Sequence, residues 1–196
     1  DVPALSADET ELVLTLGGDA VLGTREYWWN DPESLPAYLN QYGMAYPFSG
    51  LQSLFASDDM TFINLECALK EDGKGEQTGR LWRFRGLPGY TEALCQGSIE
   101  QVNIANNHHG DYGTAGEEST RQALIDAGMP FSGYGYTYVW EKNGHKIGFA
   151  GCRETTYMND EFVIARDINR LREQGCDVIV YSCHWGTEYD DTHNAL

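Results

Sequence analysis

Four apolar runs end in side chains that could hold a metal ion. Asp19 closes ELVLTLGGD (11–19), Asn64 and Glu66 close MTFINLE (60–66), Asn106, Asn107 and His108 close EQVNIANNH (100–108), and His184 lies near the end of CDVIVYSCHWG (176–186). Carboxylate oxygens, an amide carbonyl and neutral imidazoles together suit Mn²⁺, Fe or Zn²⁺, whereas a calcium site seldom recruits histidine. One or two ions are expected, because a carboxylate such as Glu66 can bridge two metals and hold a water between them as nucleophile. Each residue also has a plain structural reading. Asp19 after two glycines could serve a turn, Asn107 could bond its own backbone, His108 or His109 could be an ordinary exposed residue, and His184 beside Trp185 could be a satisfied core histidine. Glu66 is harder to explain that way, since a buried carboxylate needs a partner. What favours a site is that all of them fall at strand ends.

The elements that would position them follow from periodicity. The four runs, together with HKIGFAGC (145–152), are rich in β-branched and aliphatic residues, and several are nearly continuous rather than alternating, as in strands covered on both faces. Helices are expected over 114–127, where Thr114 and Glu117 form a capping-box pattern and Gly128 stops the chain, over about 160–174, and over about 48–57. Strands alternating with helices define an α/β fold, and in open α/β sheets ligands bind at the carboxyl ends of the strands. The stretch 70–80 reads as an exposed loop, and 133–138 (GYGYTY) as a loop leading to the next strand. The aromatic segment 24–47 is expected to pack beside the site. Arg80, Arg83 and Arg85 in RLWRFRG are either a solvated strand face or an anion-contacting edge. No repeat or second domain is evident, so 1–196 reads as one domain.

Composition narrows the function. A net charge of −17 opposes binding to nucleic acid or to anionic lipid surfaces, and would disfavour an anionic substrate unless bound cations reverse the field locally. No run approaches the roughly 18–20 apolar residues of a membrane span. Five cysteines without a CxxC pair leave one disulfide possible, while Cys67, Cys152 and Cys183 in apolar runs read as buried free thiols. The acidic start DVPALSADETELVL lacks the features of a signal peptide and is expected to be a mature or trimmed start.

The blocks GGDAVLG (17–23), INLEC (63–67), FRG (84–86), NIANNHHGDYGTAG (103–116) and SCHWGTEY (182–189) resemble, in order and spacing, the CapA family of poly-γ-glutamate capsule biosynthesis proteins. That family is similar in fold to calcineurin-like metallophosphoesterases, so the resemblance implies a four-layer α/β/β/α sandwich. It places Asp19, Glu66, Asn107 and His184 as metal ligands and His108 as the acid that protonates the leaving group, oriented by Asp111 unless Asp111 instead helps start the next helix. Asn64, Arg85, Trp185 and Glu188, in or beside the same blocks, are the expected substrate contacts. Two departures stand out. Val21 occupies a position where metallophosphoesterases usually supply a histidine, and the chain stops soon after HWGTEY, so the expected domain lacks its C-terminal part. The implied function is a metal-dependent hydrolase-type role in capsule biosynthesis, acting on a phosphoester or on an amide of a γ-glutamyl or cell-wall polymer. The alternative is a non-catalytic subunit that binds the anionic polymer or scaffolds a membrane synthesis and export complex. The implied partners are that polymer and other synthase subunits, and the implied location is extracellular, at a cell surface or anchored through a segment outside this chain.

Overall fold

The computed structural model describes residues 11–186. In chain order the elements are β1 (Leu14–Ala20), α1 (Leu35–Tyr42), α2 (Gln52–Phe55), β2 (Met60–Leu65), β3 (Ala68–Leu69), β4 (Arg85–Gly86), α3 (Thr91–Gln96) and β5 (Gln101–Asn103). They continue with α4 (Gly113–Asp126), β6 (Phe131–Ser132), β7 (Tyr138–Lys142), β8 (His145–Arg153), α5 (Glu154–Asn159), α6 (Val163–Glu173) and β9 (Val178–His184). Strands β1-β2-β5-β6 form an all-parallel sheet. A second sheet has the order β7-β8-β9, with β7 antiparallel and β9 parallel to β8.

Side-chain alternation along β2 sorts the layers. Ile63 and Leu65 face a core shared with Val102, Leu39 of α1, Leu94 of α3 and Leu124 of α4, whereas Met60 and Phe62 face Ile147 and Phe149 of β8. The Phe62 and Phe149 rings stack at 5.4 Å, joining the two sheets. Beyond the second sheet lies α6: a Cβ on Gly148 would stand 2.8 Å from Leu171 Cδ2, so glycine lets that helix approach β8 closely. The order helix, sheet, sheet, helix is the metallophosphatase-like α/β/β/α sandwich that the family resemblance implies.

Within the helices, α4 buries Gly116, Thr120, Ala123 and Leu124, and α6 buries Val163, Asp167 and Leu171, each a stripe of helical period. Several local expectations are corrected. The Thr114–Glu117 capping box does not form: α4 begins at Gly113 behind Tyr112, with no side-chain cap, and Glu117 turns to a surface cleft. The region 48–57 holds only the single turn α2 after a 3₁₀ turn at Tyr46–Phe48. The helix expected from about 160 starts at Val163, and the separate α5 precedes it. Cys67 and Cys152 are buried, but Cys183 is exposed, on β9, the last strand of its sheet among the described residues; all five thiols are free. Arg85 is buried rather than on a solvated strand face.

Candidate metal centre

The site begins with an irregularity in β1. Register runs Leu14 to Leu16 against Met60 to Phe62 and resumes at Asp19 against Asn64, so Gly17 and Gly18 together oppose Ile63. A bulge of this kind re-aims the next side chain. Glycine keeps Gly17 clear of the core there, since a Cβ would lie 2.9 Å from Ile63 Cγ2 and force it to shift. Asp19 consequently meets Asn64, whose Nδ2 donates to Asp19 Oδ1 at 2.7 Å.

From the second sheet, β9 presents Val180 towards the inter-sheet core and, by the same alternation, His184 to the space above it. His184 Nδ1 is 3.7 Å from Asp19 Oδ1, and Nε2 is 3.5 Å from Glu66 Oε1 and 2.6 Å from Asn107 Oδ1. Burial pushes the His184 ring below its usual value, only partly offset by the Asp19 charge, and so favours the neutral form that can ligate a metal.

The loop after β5 supplies the third group. Asn106 is fully buried and locks the turn: its Oδ1 accepts from the backbone N–H of His108 and His109, and its Nδ2 donates to Leu65 O and Asn64 Oδ1. His108 Nε2 thereby stands 3.9 Å from Glu66 Oε1, while its Nδ1 is 2.7 Å from Asp111 Oδ2. Asp111 is buried and also accepts from Phe84 N at 2.9 Å and from Arg80 Nη1 at 3.1 Å. Its carboxylate therefore orients the imidazole and does not cap α4.

The donor set could hold a divalent ion. One ligand atom each from Asp19, Glu66 and His184 lies within 4.8 Å of the others. Ligands at about 2.0–2.2 Å from a common ion are at most roughly 4.4 Å apart, a difference side-chain adjustment covers. Asn107 adds a carbonyl beside them.

Other expected contacts are distributed differently. Asn64 is buried and acts on Asp19 rather than facing open space. Arg85 is not brought to the cluster: its guanidinium pairs with Glu26, donates to the carbonyls of Lys70 and Glu71, and lies 3.7 Å from the centre of the Trp29 ring. Segment 24–47 is tied to β4 by this pairing and by the Thr24–Arg85 bridge. Trp185 is half exposed and packs edge-on against Tyr157. Glu188 lies outside the described residues. Sequence reasoning gave no weight to Arg153, which pairs in register with His184, and treated Arg80 only as one of a basic cluster. The positioning of Arg80 against Asp111 spans 31 residues of chain, and no short motif signals it.

Comparison with known proteins gives the family of the chain. The capsule biosynthesis protein CapA of Bacillus anthracis is 24% identical over 96% of this chain, which spans 50% of that relative's length. Among solved structures, a hypothetical protein from Thermus thermophilus aligns at 17% identity with a TM-score of 0.46, covering 74% of this chain and 54% of that one. The NAD nucleotidase of Haemophilus influenzae aligns at 18% identity with a TM-score of 0.48, covering 74% of this chain and 29% of that one. The family model of the bacterial capsule synthesis protein PGA_cap matches residues 13–195, and the chain belongs to that family.

Proposed function

We propose that this domain carries a metal-dependent hydrolase-type site serving capsule biosynthesis, acting on a phosphoester or on an amide of a γ-glutamyl or cell-wall polymer. The observation that carries it is the convergence of Asp19, Glu66, Asn107 and His184 beside an imidazole held by a buried carboxylate. Those four residues would hold a divalent ion, which would supply Lewis acidity and water activation at neutral pH.

The chain's own contribution is orientation and proton handling. Asp111 Oδ2 accepts a hydrogen bond from His108 Nδ1–H, which fixes the ring so that Nε2 faces the cluster. Protonated at Nε2, His108 can donate to a leaving oxygen or nitrogen. Asn106 holds the loop and Asn64 holds Asp19, so neither reacting group must search for its position.

Elemental analysis of dialysed wild-type protein beside His184→Ala tests the reading. Bound Mn, Fe or Zn that falls in the variant supports it and justifies screening phosphoester and γ-glutamyl substrates. Val21, which offers no ligand two residues after Asp19, favours a second reading, a polymer-binding scaffold. That reading gains if neither protein holds metal even after Mn²⁺ is added while binding to anionic polymer survives chelation.

A further inference from the structure

Next to the cluster lies a cleft of about 640 Å³ whose lining includes Arg80, Arg121, Arg153, His109 and Thr155. Its wall is continuous with the cluster. Arg153 is the register partner of His184, Arg80 Nη1 donates to the Asn107 carbonyl at 2.7 Å, and His109 follows His108 in the chain. Three guanidiniums gather here in a chain of net charge −17, against two lining carboxylates, Glu117 and Asp160. Asp160 is already matched by Arg166 at 2.8 Å.

Among the described residues, no carboxylate lies within ion-pair distance of Arg121 or Arg153. Arg121 instead faces the Tyr136 ring at 5.9 Å, and Arg153 donates to the Thr155 hydroxyl. His109 adds a second observation. It is 1% exposed, stacks on Tyr134 at 5.5 Å, lines the cleft, and among the described residues has a partner for neither ring nitrogen. Both nitrogens are closed off from solvent, so His109 backs the cleft wall, and the arginines are the groups that face an entering anion.

We propose that this cleft is an oxyanion subsite: Arg121 and Arg153, with Arg80 at the inner edge, hold a carboxylate or phosphate of the substrate next to the bond presented to Asp19, Glu66 and His184. Guanidiniums suit either oxyanion because their planar donors bind both in bidentate fashion. The subsite gives a strongly acidic protein a local means of holding an anionic substrate. The inference rests on the hydrolase-type reading for what the anion is attached to, though not for its binding.

The test is calorimetric titration of chelated protein with sodium phosphate and, separately, sodium glutarate at constant ionic strength. Wild type should bind at least one saturably. Arg121→Gln should weaken that binding several-fold and Arg121→Gln/Arg153→Gln at least tenfold, with unchanged circular dichroism. A preference for phosphate would assign a phosphoester substrate, and a preference for glutarate a polycarboxylate. No saturable binding of either probe, or equal affinity in wild type and the folded single variant, would overturn the proposal. Mn²⁺ titration of the same proteins separates the two readings: anion binding without Mn²⁺ binding leaves the subsite standing and removes the metal site, and the converse does the opposite.

Discussion

Asn64 Nδ2 and Asp19 Oδ1 are 2.7 Å apart across neighbouring parallel strands, and this bond turns the Asp19 carboxylate towards His184. A group that orients a ligand without touching the ion commonly accounts for 10–100-fold of metal affinity. Asn64→Ala is therefore expected to weaken Mn²⁺ binding by about 10–100-fold, measured by titration of chelated protein. It should also lower stability, because Asn106 Nδ2 loses one of its two acceptors in the buried turn. Unaltered Mn²⁺ affinity would mean that Asp19 holds its position alone.

His108 and Asp111 form the other oriented pair, three residues apart and bonded at 2.7 Å. The two differ in what else depends on them. His108→Gln should cost about 10²–10⁴-fold in turnover of an accepted substrate, with metal content and melting temperature close to wild type. Asp111→Ala should lose turnover and also destabilise by about 1–3 kcal/mol for a buried donor left unpaired, since Phe84 N depends on the same carboxylate, while Arg80, half exposed, can turn to water. Equal thermal melts for the two variants would contradict this division of roles.

The parts of the fold that could be read in the sequence are those with enough residues to show a period. The apolar runs at 60–66 and 145–152 closely match β2 and β8, and the polar residues ending the four runs named at the outset lie at the same ends of the two sheets. Strands β3, β4 and β6 have two residues each, too few for any pattern, and they are defined only by their pairing, β3 with β4 and β6 with β5. The cleft is illegible for a different reason. Arg80, Arg121 and Arg153 lie on a loop, a helix and a strand end, and only the docking of the two sheets brings them together. The capping box failed because the chain enters α4 through Gly113 at φ +61°, a local geometry that takes precedence over a four-residue pattern.

Gly17 tests whether the bulge in β1 aims Asp19. A Cβ there meets Ile63 Cγ2 at 2.9 Å, and Ile63 is itself fixed in the core on the helix side of the sheet. Gly17→Val should destabilise by about 1–3 kcal/mol through overpacking and should weaken Mn²⁺ binding as β1 shifts. Gly18→Ala is the control, because nothing lies within 4 Å of its Cβ position. A Gly17→Val protein that melts lower but binds Mn²⁺ normally would separate the bulge from the site.

Asp167 offers a stability test remote from the cluster. It sits on the buried stripe of α6, 1% exposed, with its Oδ2 accepting from the Tyr181 hydroxyl at 3.1 Å. Burial raises its pKa, against the opposing pull of that hydrogen bond and of Arg170 and Arg166. A carboxylate whose pKa is higher folded than unfolded favours the folded state only while protonated, so above the folded value it costs stability and below the unfolded value the cost disappears. Asp167→Asn keeps an acceptor for Tyr181 and removes the buried charge. It should raise the melting temperature at pH 7 by about 2–4 °C, the response of a domain this size to ~1 kcal/mol. The advantage over wild type should shrink towards zero as pH falls through the ordinary carboxylate range, which parallel melts of the two proteins from pH 7 to pH 3.5 would read. A variant less stable at pH 7 would show instead that the charge of Asp167 contributes more, through Tyr181 and the two arginines, than its burial costs.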